Sequence, residues 1–218
     1  MNLQGSTQWD GLAHVIRDET MYNGFWGGSV IAAGGATFNG IHHLRESLVG
    51  RGVLVDVCAP DGGEPLAPGT KIDAAKLDAT IASQGTELRG GDLLLVRTGY
   101  LGTWYGLTDP LHRSQRWFEE EPGLTLDTLE WLHRHDVAAV AVDNWGVEVA
   151  PREDPDGDAM PFHQVAIPGL GLTLGEYFWL DDLALACAAD GRWDFLLAAQ
   201  PLNVTNASGT MLNPVAIR

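Results

Sequence analysis

The chain has 218 residues, of which 29 are acidic and 13 are lysine or arginine, giving a net charge of −16. That charge repels phosphate backbones and anionic lipid surfaces, so nucleic acid and membranes are excluded as expected partners. With 45% hydrophobic and 19% charged residues, the composition excludes a disordered chain and predicts a well-formed core.

The amino-terminal stretch carries Gly24, Gly27, Gly28, Gly34, Gly35 and Gly40 with little apolar periodicity and reads as loop. It has no basic segment followed by an apolar run, so no signal peptide is visible, and the expected location is the cytoplasm. No window approaches the roughly 20 apolar residues that span a bilayer. Apolar runs at 53–57, 92–98 and 137–142 read as strands buried on both faces. A further run at 195–199 leads into Pro201, which should end that strand. Between them lie helical patterns. Residues 72–83 pair Leu77 with Ile81, with Asp73 as the cap. Residues 125–135 space Leu126, Leu129 and Leu132 by three, start at Thr125 as cap, and end in the cationic turn His133, Arg134, His135. Residues 181–189 open on two acids and stop at Gly191. Strand and helix alternate, which predicts a single α/β domain over residues 1–218.

Several features carry ordinary readings. Glu119, Glu120 and Glu121 read as a solvated loop, and residues 148–160 as a second loop rich in proline and acid. Asp154, Asp156 and Asp158 alternate like a calcium loop but lack the glycine and glutamate of an EF-hand. Cys58 and Cys187 sit in apolar stretches without metal-type spacing and read as small core residues. No GxSxG, HExxH or phosphate-loop pattern occurs.

Two clusters bear chemistry. In Gln4-Gly5-Ser6-Thr7-Gln8-Trp9-Asp10-Gly11-Leu12-Ala13-His14, a carboxylate and an imidazole lie four apart in a segment where backbone can approach a ligand. Asp10 could bind a hard cation, and His14 could carry a proton near neutral pH. Against this stands a capping aspartate and a core histidine. The second cluster is Met160-Pro161-Phe162-His163-Gln164, with Glu176 following thirteen residues after His163. Both ionisable groups stand among apolar neighbours, where burial is costly unless they are paired or metal-bound. An internal histidine–glutamate pair is the competing reading. Trp9, Trp26 and Trp145 are candidates to line an aromatic substrate pocket.

Residues 4–14 resemble the motif His-x-Gly-Thr-His-x-Asp-x-Pro-x-His of the metal-dependent cyclase and kynurenine-formamidase-like hydrolases. Gly50-Arg51-Gly52-Val53-Leu54-Val55-Asp56-Val57, Leu95-Val96-Arg97-Thr98-Gly99, Ala141-Val142-Asp143, Met160-Pro161-Phe162-His163-Gln164 and Asn213-Pro214-Val215-Ala216-Ile217 keep the family's order over nearly the whole chain. The resemblance implies a swivelling β/β/α fold with a mixed, partly barrel-like sheet flanked by helices. It implies hydrolysis of a C–N bond in a small amide, such as N-formylkynurenine in tryptophan catabolism or a cyclic amide, and a homo-oligomer. By position, Asp10, His163 and Glu176 would be metal ligands and His14 the proton carrier. Gln4 and Gln8 stand where the family has two further histidine ligands. Amides are weak, neutral ligands, so the ion expected is manganese, zinc or magnesium with Gln8 as a poor fourth donor, or no ion at all. In the last case Gln4 and Gln8 would hydrogen-bond a substrate carbonyl, and the chain would be a non-catalytic relative that binds a small ligand. Relatives also carry a substantial segment before the motif, so an amino-terminally truncated chain is expected.

Overall fold

The computed structural model describes residues 2–30, 33–107, 110–151 and 159–218. Eight strands form one curled mixed sheet: β1 (Gln8–Asp10), β2 (Val49–Asp56), β4 (Leu93–Arg97), β6 (Ala139–Val142), β7 (Thr173–Glu176), β8 (Asp194–Ala198), β9 (Gly209–Met211) and β10 (Val215–Ile217). Two short strands, β3 (Lys71–Ile72) and β5 (Gly123–Leu124), pair parallel in a small second sheet. The order across the main sheet is β10-β8-β2-β4-β6-β7-β1-β9. Its centre, β2-β4-β6-β7, is parallel, and both flanks are antiparallel. The helices are α1 (Ala74–Gln84), α2 (Tyr100–Tyr105), α3 (Pro110–Glu119), α4 (Asp127–Arg134), α5 (Pro161–Leu170) and α6 (Asp181–Asp190).

The apolar runs become central strands because both sheet faces are covered. Val55, Leu94, Val96, Val140, Val142 and Leu174 pack against Leu77 of α1, Leu129 and Leu132 of α4, and Phe162 and Ile167 of α5. On the other face, Leu54, Leu95 and Ala141 meet Phe178, Ala184 and Cys187 around α6. Buried on both sides, these strands have no polar face to show, hence the continuous hydrophobic runs. The expected strands and helices appear with bounds shifted by a few residues.

Local chemistry sets the ends. Asp73 caps α1 by accepting from the Lys76 N–H at 2.8 Å, and Gly85 and Gly191 close α1 and α6 in left-handed conformation. Thr125 is not the side-chain cap of α4. Its hydroxyl turns to the Ile72 carbonyl and to Asp127, while its backbone oxygen takes the Thr128 N–H. Glu121 corrects the reading of a solvated acid run, since only 1% of it is exposed. The alternating acids at 154–158 lie outside the described residues. Among the described residues no helix is long and apolar enough to cross a membrane.

Leu94 is 1% exposed at the middle of the parallel strands, so Leu94→Ala should lower unfolding free energy by about 2–5 kcal/mol in urea titrations. Burial raises the Cys58 thiol to about 12 and that of Cys187 to about 11. Both should therefore resist a disulfide reagent at pH 8 and react only once the chain is unfolded.

Candidate metal centre

The centre depends on one strand pairing. β1 lies between β7 and β9, with Gln8 opposite Glu176 and Asp10 opposite Leu174. Strand alternation turns Gln8, Asp10 and Glu176 to one face and Trp9 to the other. Gly175, opposite Trp9, makes the close fit possible, because a Cβ there would lie 2.5 Å from the indole and 2.6 Å from Ala141. His163 comes from the first turn of α5, whose start is shaped by Glu148. That carboxylate accepts from the Phe162 and His163 backbone N–H groups, each at 3.1 Å, and from the His163 ring Nδ1 at 2.7 Å. It acts as a helix cap supplied from a distant loop and fixes the ring orientation.

With Nδ1 bound to a carboxylate, His163 presents Nε2 to the centre, 3.7 Å from Asp10 Oδ2 and 3.4 Å from Glu176 Oε1. One ligand atom from each of Asp10, His163 and Glu176 lies within 4.8 Å of the others, and all three residues are buried. Among the described residues, four buried side-chain polar atoms have no partner: Gln8 Oε1, Asp10 Oδ2, His163 Nε2 and Ser29 Oγ. Two of the four, Asp10 Oδ2 and His163 Nε2, face each other here at 3.7 Å. Buried polar atoms are rarely left unmade, and a divalent cation is the partner that two carboxylates and an imidazole lone pair can share. The residues present therefore fit an ion.

The glutamines take up the remaining acceptors. Gln8 Nε2 donates to Glu176 Oε2 at 2.6 Å and leans toward Asp10 Oδ1 at 3.5 Å. Gln4 Nε2 lies 2.5 Å from Asp10 Oδ1 and 2.9 Å from His14 Nδ1. Gln4 Nε2 thus faces two partners within the protein. His14 stands at the rim, its Nε2 3.6 Å from Asp10 Oδ2 and its side chain 31% exposed.

Burial and charge divide the protonation. Burial opposes the charged form of His163, but Asp10, Glu148 and Glu176 outweigh it and hold the imidazole well above its usual range. Burial raises Glu176 to about 7, against the pull of His163. Partial burial lowers His14, with Asp10 acting in the opposite sense. Glu121 is raised well above the carboxylate range by burial, even though it accepts the Trp145 N–H at 2.8 Å. Three non-glycine residues with positive φ border the site, Val147 before Glu148, Met160 ahead of α5 and Tyr177 after Glu176. Backbone strain of this kind collects at functional sites.

A cavity of about 400 Å³ is lined in part by residues next in sequence to Gln4, Gln8 and Glu176. Its floor is Gly5, Ser6 and Thr7, between the two glutamines, and its walls include Trp104, Trp117, Phe118, Tyr177 and Trp179. The Tyr177 phenol is raised by burial and by the charges of Glu176, Glu121 and Asp10. The tryptophans expected here lie elsewhere. Trp9 is a core residue, 1% exposed, donating to the Ala199 carbonyl at 2.6 Å and packed on Phe178. Trp26 is 67% exposed and folds over Gly28. Trp145 stands behind the wall, bonded to the Phe118 carbonyl. Sequence reasoning also missed Glu148 and Glu121. Glu148 lay in a loop with no pattern, and the sole signal for Glu121 was Pro122-Gly123 closing the acid run.

A curled mixed sheet with a carboxylate–histidine centre at its antiparallel flank defines an α/β protein built around a cation-type site. Residues 1–149 match the model of the Cyclase family, described as "Putative cyclase". A solved structure titled as a novel cyclase is 42% identical, with TM-score 0.92, covering 100% of this chain and 71% of its own. The chain belongs to the Cyclase family. Two structures share the fold at lower identity. Isatin hydrolase A from Labrenzia aggregata is 17% identical, with TM-score 0.64, over 96% of this chain and 71% of its own. A protein from Bacillus stearothermophilus described as a predicted metal-dependent hydrolase is 18% identical, with TM-score 0.56, over 99% of this chain and 78% of its own. A comparison with curated proteins finds no match.

Manganese, zinc or magnesium titrated into chelated protein should raise its melting temperature, and Asp10→Asn should abolish that rise. Glu148→Gln should weaken the ion's affinity by about 10–100-fold, measured by calorimetry, because it releases the His163 ring.

Proposed function

We propose that this protein is a metal-dependent hydrolase of C–N bonds in small amides, of the arylformamide or cyclic-amide type. The observation that carries the reading is the buried triangle of Asp10, His163 and Glu176, in which Asp10 Oδ2 and His163 Nε2 have no hydrogen-bond partner. The aromatic cavity supports a planar, ring-bearing substrate. The fold shared with an isatin hydrolase supports the same class, since isatin is itself a cyclic amide.

Asp10, His163 and Glu176 would hold the ion, with the neutral Gln8 oxygen as a weaker fourth donor. A bound divalent ion supplies polarisation of the amide carbonyl and a lowered pKa for water. The protein's own residues do the rest. Glu148 holds the imidazole of His163 in place, and Gln8 fixes the Glu176 carboxylate. Trp104, Trp117 and Trp179 line the cavity and would offer apolar faces to a substrate ring. Hydrolysis moves one proton from the attacking water to the departing nitrogen; Glu176 borders that route, and His14 stands at the rim.

The test is hydrolysis of N-formylkynurenine, isatin and a small amide panel with manganese, zinc or magnesium supplied. Turnover is expected, with a loss of about 10²-fold or more in Asp10→Asn and of about 10²–10³-fold in His14→Ala. A folded, metal-loaded protein that turns over none of them would remove the reading. Ligand-induced thermal stabilisation without turnover would mark it instead as a non-catalytic binder.

A further inference from the structure

Gln4 takes no part in the ion-binding triangle, yet its amide is the most constrained polar group at the rim. Nε2 lies 2.5 Å from Asp10 Oδ1. The Asp10 carboxylate can only accept, so the nitrogen end of the amide must face it. The same nitrogen lies 2.9 Å from His14 Nδ1. An amide nitrogen carries two hydrogens and no acceptor, so the second points at the ring, and Nδ1 must offer its lone pair. A neutral imidazole that accepts at Nδ1 carries its proton on Nε2. That Nε2 stands 3.6 Å from Asp10 Oδ2, the carboxylate oxygen with no partner.

The sheet keeps the amide there. Asp10 is opposite Gly209 of β9, and a Cβ on Gly209 would come within 2.8 Å of Gln4 Nε2 and 3.0 Å of its Cδ. The bare backbone of β9 is what gives the Gln4 side chain its place between Asp10 and His14.

We infer that Gln4 is a positioning residue that holds His14 as the Nε2–H tautomer, so that His14 meets its substrate as a neutral hydrogen-bond donor. The donor serves an acceptor atom at the rim, as an amide carbonyl oxygen would present. No proton is transferred by the ring in this role. While the Gln4 bond persists, Nδ1 is occupied and Nε2 already bears its hydrogen, so His14 has no lone pair with which to take a proton from water. The water's proton is left to the carboxylates. This assignment rests on the proposed hydrolase reading for its chemical use, but the tautomer itself does not depend on turnover.

The experiment is a long-range proton–nitrogen correlation spectrum of the imidazole rings in ¹⁵N-labelled full-length protein at pH 7.5, with and without magnesium. The His14 signals are assigned by their loss in His14→Asn. The expected result is a neutral His14 with the proton on Nε2 in the native protein. In Gln4→Met, which keeps the side-chain length and removes the donor, that single tautomer should give way to a mixture, with circular dichroism unchanged. A native His14 that bears its proton on Nδ1 or on both nitrogens would overturn the inference. So would a folded Gln4→Met protein whose His14 spectrum matches the native one. The native measurement decides the matter even if Gln4→Met fails to fold. Failure of the amide panel with the Nε2–H tautomer present would count against the hydrolase reading alone.

Discussion

Everything at the centre follows from the antiparallel seating of β1 between β7 and β9. Three residues of backbone pairing set Gln8 against Glu176 and Asp10 beside Leu174, and thereby join groups separated by more than 160 positions along the chain. A register slip of one residue would turn Asp10 into the core and Trp9 into the polar centre, reversing both environments at once. Gly175 and Gly209 protect that register from opposite sides of the strand, one admitting the Trp9 indole and the other the Gln4 amide.

Around this pairing the protein divides its carboxylate oxygens between two kinds of partner. Asp10 Oδ1 and Glu176 Oε2 face the amide hydrogens of Gln4 and Gln8, while Asp10 Oδ2 and Glu176 Oε1 face His163 and the interior of the triangle. Glutamine in place of histidine therefore does more than remove ligands. Each amide nitrogen ties down one oxygen of a carboxylate, which leaves the other oxygen aimed inward. The arrangement resembles a second coordination layer built from hydrogen bonds, with Glu148 completing it behind His163.

Much of the fold was legible from the order of residues. Leu93 to Val96 and Ala139 to Val142 announced buried parallel strands because nothing polar interrupts them, and Asp73 announced a helix start because a short carboxylate competes for free N–H groups. Asp10, His14, His163 and Glu176 were legible through the family motif, and the structure brings all four within one polar cluster. The rest was not legible, for identifiable reasons. Whether a tryptophan faces substrate or core depends on strand parity, and the three residues of β1 are too few to show alternation. The burial of Glu121 and the capping of α5 by Glu148 arise between loops, where no periodicity marks a partner. The roles of Gln4 and Gln8 needed the direction of each amide, which only side-chain geometry supplies.

Trp9 acquires a meaning different from the one its position in the motif suggests. Asp10, Gln8 and Gln4 travel on a very short strand and its lead-in, whereas His163 and Glu176 are rooted in α5 and in the interior of the sheet. What keeps so short a strand in place is its pairing on both sides and the burial of its side chains. The indole, packed on Phe178 and bonded to the Ala199 carbonyl, anchors β1 from the face opposite the polar centre, so the seating of Asp10 depends on an aromatic ring that never meets it.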